Sequence, residues 1–431
     1  MIHHLNRAAG LCLTAALLLT AAGCGQQTVP ESPSPSPVVE TAAADKNDLT
    51  VVRSMELQYA NNFAVDYCAN GCKIITDGAG QKFLWVPEGG EAPDDTGDMT
   101  VLQAPLTKLG CFSTTHATLF HAIGALDKVS LVTTDKDKWH IEQVAQQIED
   151  GTTTYVGKNS APDYELISAA APQIILISAN TMHGSDEVLA KLDELGIPYI
   201  ADSQHLENHP LGRVEWVKLV GALLDMEEEA DAYFDEEVQR VNAVAESVAG
   251  ESEHPTILQT YIFKGTVYVR NGGDYVNKML ELAGGTYPFA ELEPGQGGNT
   301  KMTVEEFYQG AVDAEILIYD NTSDVSVSTV ADILANGDYL ADMKAIQEGN
   351  KIIVIDDVTA KDSFLTMIIK TLVPANIVTQ VTTVADSPAV IKGLQDHDKA
   401  IILAKTPEAY VRLAQNGVTL TRVNLGVNEK H

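Results

Sequence analysis

Residues 211–249 read LGRVEWVKLVGALLDMEEEADAYFDEEVQRVNAVAESVA. Apolar side chains recur at helical spacing: Val214, Val217, Val220 and Leu224, then Ala230, Phe234, Val241, Ala245 and Val248. That period puts them on one face of a helix. Asp225, followed three residues later by Glu228, has the form of a capping box, so the helix is expected to bend or restart there. A single rod of roughly 24 residues at ~1.5 Å each would span ~36 Å, the width of a small domain. Runs of strand–helix units lie on both sides. The stretch therefore reads either as a bridge between two α/β lobes or as a surface helix of one domain.

An internal echo favours the bridge. Before the helix, YELISAAAPQIILIS reads as helix, short turn and aliphatic strand; after it, EEFYQGAVDAEILIYD repeats that grammar. Such continuous aliphatic runs suit parallel strands buried on both faces. Two lobes are thus expected, an N-terminal one over 49–210 and a C-terminal one over 250–349, with 211–249 between them.

The chain of 431 residues has room for two or three domains. Its net charge of −32 argues against nucleic-acid partners, which require a basic footprint. It argues equally against docking on anionic membranes by charge. Residues 1–23 place Arg7 before a short apolar run, Leu11 to Leu19, and small residues; this suits a secretory signal and is too short to span a membrane. The ending LTAAGC resembles the lipobox of bacterial lipoproteins, which implies cleavage before Cys24 and its lipidation, with Ala21 departing from the usual leucine. Residues 25–48, rich in Ser-Pro, are expected to serve as an extended tether. The expected location is the outer face of the cell membrane, held by lipid alone. Cys68 and Cys72 flank Asn70-Gly71 in a tight hairpin and are expected to form a disulfide in an oxidising compartment. Cys111 reads as a buried free thiol.

The segments TDGAGQKFLWVP, LGCFSTTHATLFHAIGALDKV, YVGKNSAPDYELISAAAPQIILIS, LDELGIPYIAD, YVRNGGDYVNKMLELAGG and MKAIQEGNKIIVID follow one another in an order that resembles the substrate-binding proteins of bacterial ABC importers, in the class serving iron-siderophores, haem and cobalamin. The resemblance covers roughly residues 50–356. It implies two Rossmann-like lobes bridged by one helix, a ligand cleft between them, and permease and ATPase partners. The tail resembles the IIB component of the mannose-family phosphotransferase system, especially KTPEAYVRLAQNGV followed by VNLG, over 350–431. That family passes a phosphoryl group from a histidine in an Asp-x-Arg-Leu-Ile-His-Gly motif to a sugar. The motif is missing here, and His397 in LQDHDKA does not match it. The expectation is a fusion with its junction near Gly349 and a tail that transfers no phosphate. The fold class is accordingly α/β: two Rossmann-like lobes bridged by a long helix, plus a C-terminal α/β segment resembling a IIB domain.

Open α/β sheets bind ligands at the carboxyl ends of their strands. The loops there offer Thr115, His116, Trp139, His140, Lys158, Met182 and His183 from the N-terminal lobe, and Tyr261, Lys264, Arg270, Tyr275 and Tyr319 from the C-terminal lobe. Aromatic rings would stack on a planar or greasy ligand and cations would pair with its acidic groups; a histidine or tyrosine could ligate haem iron. Against this, His116 suits a plain helix cap, Tyr261 and Tyr319 suit strand-end core, and Arg270 suits a plain salt bridge. The expected ligand is an iron complex or corrinoid, with no intrinsic cofactor and no resident metal. Direct capture of Zn²⁺ or Mn²⁺ by His116, His140, His183 and His205 is a competing reading, weakened by their scatter over separate loops. By the same resemblance, Glu165 and one of Glu305 and Glu306 would dock on permease arginines. The chain contains no P-loop, GxSxG or HExxH, so nothing marks it as an enzyme. The alternative from a different class is a sugar phosphotransferase component whose function is borne by the tail.

Overall fold

A computed structural model of the chain describes residues 45–139, 141–178, 185–250, 252–263, 265–320, 333–348, 352–355, 378–380 and 401–403. The expected signal segment, Cys24 and most of the tail lie outside these residues. Among the described residues no helix is long and apolar enough to cross a membrane.

The described chain begins with a small sheet: β1 (Val51–Ser54), β2 (Ala64–Cys68), β3 (Lys73–Thr76), β4 (Lys82–Val86) and β5 (Thr100–Gln103). The first four strands are antiparallel, and β5 joins β4 in parallel. The expected β2–β3 hairpin forms, with Gly71 at φ +84° in its turn, a conformation that glycine adopts without penalty. Cys68 and Cys72 sit in that hairpin as buried free thiols, beside Leu84 and Val86. This corrects the expected cross-link. Burial raises both thiol pKa values.

The N-terminal lobe follows with β6 (Leu109–Cys111), α1 (Thr114–Ala122), β7 (Val129–Val132), α2 (Glu142–Glu149), β8 (Thr154–Tyr155), the small pair β9 (Gly157–Lys158) and β10 (Ala161–Pro162), α3 (Tyr164–Ala170), β11 (Ile174–Ser178), α4 (Ser185–Leu195) and β12 (Tyr199–Asp202). Its sheet runs in the order β12-β11-β6-β7-β8 and every pairing is parallel. Gly110 lets the centre close up, because a Cβ there would lie 2.8 Å from Leu131 Cδ1 and 2.9 Å from Ile175 Cγ1.

The connecting stretch is three helices: α5 (Pro210–Glu215), α6 (Val217–Leu224) and α7 (Glu227–Val248). The break falls where the sequence marks it, with Asp225 left-handed at φ +59° as the C-cap of α6. The mechanism differs from a capping box: Met226 is the N-cap of α7 and makes no side-chain cap bond. Lys73 holds the Asp225 carboxylate instead. The bridging rod is therefore the 22 residues of α7, with Ala230, Phe234, Val241 and Val248 buried along it. Ala245 is only half-buried.

The C-terminal lobe holds β13 (Ile257–Phe263), β14 (Thr266–Arg270), α8 (Tyr275–Leu282), β15 (Asn299–Met302), α9 (Val304–Ala311), β16 (Ile316–Asp320) and β17 (Ile352–Ile355). Its sheet, β15-β14-β13-β16-β17, is parallel across β13, β16 and β17 and antiparallel at β14 and β15. The echo seen in the sequence is real: α3 leads into β11 and α9 leads into β16. β17 pairs with β16, so this lobe extends past the boundary drawn at 349. In the tail, β18 (Val378–Gln380) and β19 (Ile401–Leu403) form a parallel pair.

Candidate ligand site at the junction of the lobes

The carboxyl ends of β6, β11 and β12 converge on a buried polar cluster. Ser113 caps α1 by accepting the His116 N–H at 3.3 Å, which places the His116 ring against the strand ends. His116 and Asp202 are both fully buried, and His116 Nε2 lies 3.2 Å from Asp202 Oδ2 and 3.3 Å from Ser178 Oγ. Burial alone would push the Asp202 carboxyl up, but His116 and Gln204 outweigh it and hold it below the usual range. Gln204 donates both its backbone and its side-chain N–H to Asp202, at 2.9 and 2.7 Å. Serine and aspartate share the same imidazole nitrogen, so this is not the relay of a serine hydrolase, which needs the two on opposite nitrogens. His116 Nδ1 has no hydrogen-bond partner.

His205 follows on the next turn, and its charge interacts with Asp202, Arg213, Asp274 and His116. Burial holds its pKa below the usual histidine value. Here the two lobes meet. The Arg213 guanidinium of α5 lies over the Tyr275 ring of α8, 4.3 Å from its centroid. A Cβ on Gly297 would come within 3.9 Å of Asp274 Oδ2 and of His205 O. Asp274 caps α8 through Val276 N–H at 2.9 Å and also accepts the Gly298 N–H at 2.7 Å. Arg270 Nη1 stands 3.9 Å from the same carboxylate.

The expected ligand residues divide. Arg270 and Tyr275 are half-buried at this junction. Tyr261 stacks on Tyr268 with centroids 4.7 Å apart, the cross-strand pair of β13 and β14. His116 is no freely exposed ligand: its imidazole is tied to Asp202. Trp139 is buried in the core, its Nε1–H donated to Thr134 O at 2.9 Å. Tyr319 is buried too, its hydroxyl oxygen accepting the Ile262 N–H at 3.3 Å. These two rings read as ligand platforms because they stand near strand ends, yet their neighbours are core side chains. Thr115 and Lys158 are exposed. His140, Met182, His183 and Lys264 lie outside the described residues. Asp202, Ser178, Arg213 and Asp274 were missed. The only signal for Asp202 was its place at the end of a predicted strand. Among the described residues no group of three metal-capable side chains converges.

Glu165, Glu305 and Glu306 are exposed in the first turns of α3 and α9. Glu306 is committed to the capping box of α9, accepting from Thr303 N and Oγ1 at 3.1 and 2.7 Å. Those bonds hold its carboxyl below the usual range. Glu165 and Glu305 remain directed outward beside exposed apolar neighbours, Leu166 (41%) and Val304 (40%).

The periplasmic binding protein family matches residues 111–359, more than half of the chain. The sorbose-subfamily IIB component of the phosphotransferase system matches residues 334–431, so the two overlap across β17. An uncharacterised lipoprotein of Methanocaldococcus jannaschii is 30% identical over 267 residues, covering 58% of this chain and 62% of the relative. The chain thus matches less than two thirds of that relative's length. Two solved structures share the fold. One is an ABC-type Fe³⁺-hydroxamate transport system from Saccharomonospora viridis (TM-score 0.50, 17% identity, 69% of this chain and 97% of that one). The other is an ABC transporter substrate-binding protein from Listeria monocytogenes (TM-score 0.50, 14% identity, 62% and 97%). A parallel sheet before α7 in the chain, a mixed sheet after it, and a polar junction at the strand ends agree with the sequence match: the chain belongs to the periplasmic binding protein family, with a segment similar to a phosphotransferase IIB component at its C-terminal end.

Proposed function

We propose that this chain is the extracytoplasmic solute-binding component of an ABC importer, capturing an iron-siderophore, haem or cobalamin-type complex between its lobes and presenting it to a permease and its ATPase. The observation that carries the reading is the junction itself. Two α/β lobes meet at the carboxyl ends of the N-terminal sheet, where open sheets take ligands, and imidazole, guanidinium and aromatic groups gather there. Lipid on Cys24 and the Ser-Pro tether would hold the lobes outside the membrane, and the M. jannaschii relative is itself a lipoprotein.

Permease docking falls to Glu165 and Glu305. Each stands at the start of the helix before an aliphatic strand, one per lobe, with an exposed apolar neighbour. Glu306 is removed from the docking set because its carboxylate is spent on its own helix. Uptake of the ligand by cells carrying Glu165→Arg together with Glu305→Arg is expected to collapse while binding by the purified protein persists. Unchanged uptake would refute docking through these residues.

The IIB-like segment is proposed to be inactive in phosphoryl transfer, since it lacks the family's histidine loop. Incubation with labelled phosphorylated phosphocarrier protein is expected to leave it unlabelled. Label held stably on a tail histidine would overturn this and favour the phosphotransferase reading.

A further inference from the structure

Arg213 is the cation whose surroundings are not accounted for. In this acidic chain the other described arginines are engaged: Arg240 pairs with Glu236 and Glu237, Arg270 faces Asp274, and Arg53 lies on Tyr67. Arg213 makes no ion pair or hydrogen bond among the described residues; it lies on the face of Tyr275 and repels a charge on His205. Its Nε is shut off from solvent without an acceptor. A buried N–H donor left unmade costs about 1–3 kcal/mol, more for a charged group, and a guanidinium presents its donors as a planar fork. Two more unpartnered nitrogens, Nδ1 of His205 and Nδ1 of His116, belong to the same interacting set.

The two carboxylates of this set are already engaged, Asp202 by His116 and Gln204 and Asp274 by Arg270 and the N–H groups of Val276 and Gly298, which leaves the Arg213 donors for an anion. We infer that Arg213, held flat on Tyr275 at the lobe junction, is an anion receptor that grips an oxyanion of carboxylate or phosphate type on the captured solute. The inference deepens the solute-binding proposal and rests on it for the location of the site. It accounts for how so acidic a chain could hold an acidic solute: repulsion from the surface is screened within about a Debye length, while a fork inside the junction acts at contact. Tyr275 fixes the plane of the guanidinium, so little freedom remains to be lost when two oxygens bind.

The test uses the full-length protein in detergent, with citrate and inorganic phosphate as separate probes. Thermal unfolding is followed against each anion at ionic strength held constant with sodium chloride. The wild type is expected to show a saturable rise in Tm with at least one probe, and the probe that saturates identifies the carboxylate or the phosphate arm. In Arg213→Gln the midpoint is expected to weaken about tenfold or more, the loss of a charge-assisted pair. Arg213→Lys keeps the charge without the fork and is expected to fall between the two, so the inference stays testable if Arg213→Gln folds poorly. Lys108→Gln, at the amino end of β6, should keep the wild-type midpoint. No saturable response in the wild type, or an unchanged midpoint in both Arg213 variants, overturns the inference. A saturable response in a protein that binds no metal complex would leave Arg213 in its role and refute the metal-complex reading.

Discussion

Lys73 Nζ lies 3.0 Å from Oδ1 of Asp225, the residue at which the helical connection breaks. The ammonium is buried under the Trp85 ring, 4.0 Å from its centroid, and also reaches Glu227 Oε1 at 2.6 Å and Ala222 O at 3.0 Å. One cation from the small sheet thus gathers a carbonyl of the last turn of α6, the left-handed residue and the first residue of α7. Lys73→Met removes that clasp. Asp225 and Glu227 can rehydrate, being 71% and 25% exposed, so the loss falls mainly on the Ala222 carbonyl and the cation–π contact. A decrease of about 2 kcal/mol in urea unfolding is expected. A loss below about 0.5 kcal/mol would show that the break stands without Lys73.

A second clasp holds the loop before β2. Glu215, fully buried at the end of α5, accepts N–H groups from Gln58, Tyr59 and Ala60 at 2.8 Å each. Glu207 does the same for Asn61 and Asn62, and takes the Trp216 indole N–H at 3.0 Å. Glu215→Leu would leave these N–H donors unmade and take one of two carboxylates from Lys218, whose Nζ lies 3.5 Å from Glu215 and 3.1 Å from Asp231. The expected cost is about 3–5 kcal/mol, measured as a lower urea midpoint. A variant as stable as the wild type would mean that water replaces the carboxylate.

His209 predicts a pH dependence. Its ring stacks on Tyr59 with centroids 4.4 Å apart, and its Nδ1 accepts the Leu211 N–H at 3.1 Å. Burial, with Lys278 adding repulsion, lowers its pKa to about 4. A histidine with a depressed folded-state pKa binds its proton more readily in the unfolded chain. Its contribution is therefore whole above the unfolded value near 6.5 and is lost as pH falls from there toward 4. Tm should decline across that window, and His209→Asn, which keeps an N-cap acceptor but cannot titrate, should decline less. Parallel pH profiles for the two proteins would sink the assignment.

The elements were largely legible because periodicity carries them. The strands at 174–178 and 316–320, the hairpin at Asn70-Gly71 and the break at Asp225 all stand where the residues place them. The site was legible only in outline. Arg270 and Tyr275 were found through their place after β13 and β14, whereas Trp139 and Tyr319 took core positions that a strand-end rule cannot distinguish from a cleft wall. Arg213 and Glu215 were hidden within a helical stripe. Their roles depend on Tyr275 and on residues 58–60, and no local pattern brings those partners together. The Asp225–Glu228 spacing pointed to the break for the wrong reason, since the carboxylate is held by a lysine far upstream.

The central claim is that the junction between the lobes captures a metal complex. It is tested most directly by isothermal titration of the purified full-length protein with a ferric hydroxamate, a ferric catecholate, haemin and cyanocobalamin, beside free Zn²⁺ and Mn²⁺. The account predicts saturable one-to-one binding of at least one complex, weakened when Tyr275 or Arg213 is replaced. Binding of a free divalent ion with no response to any of the complexes would contradict it.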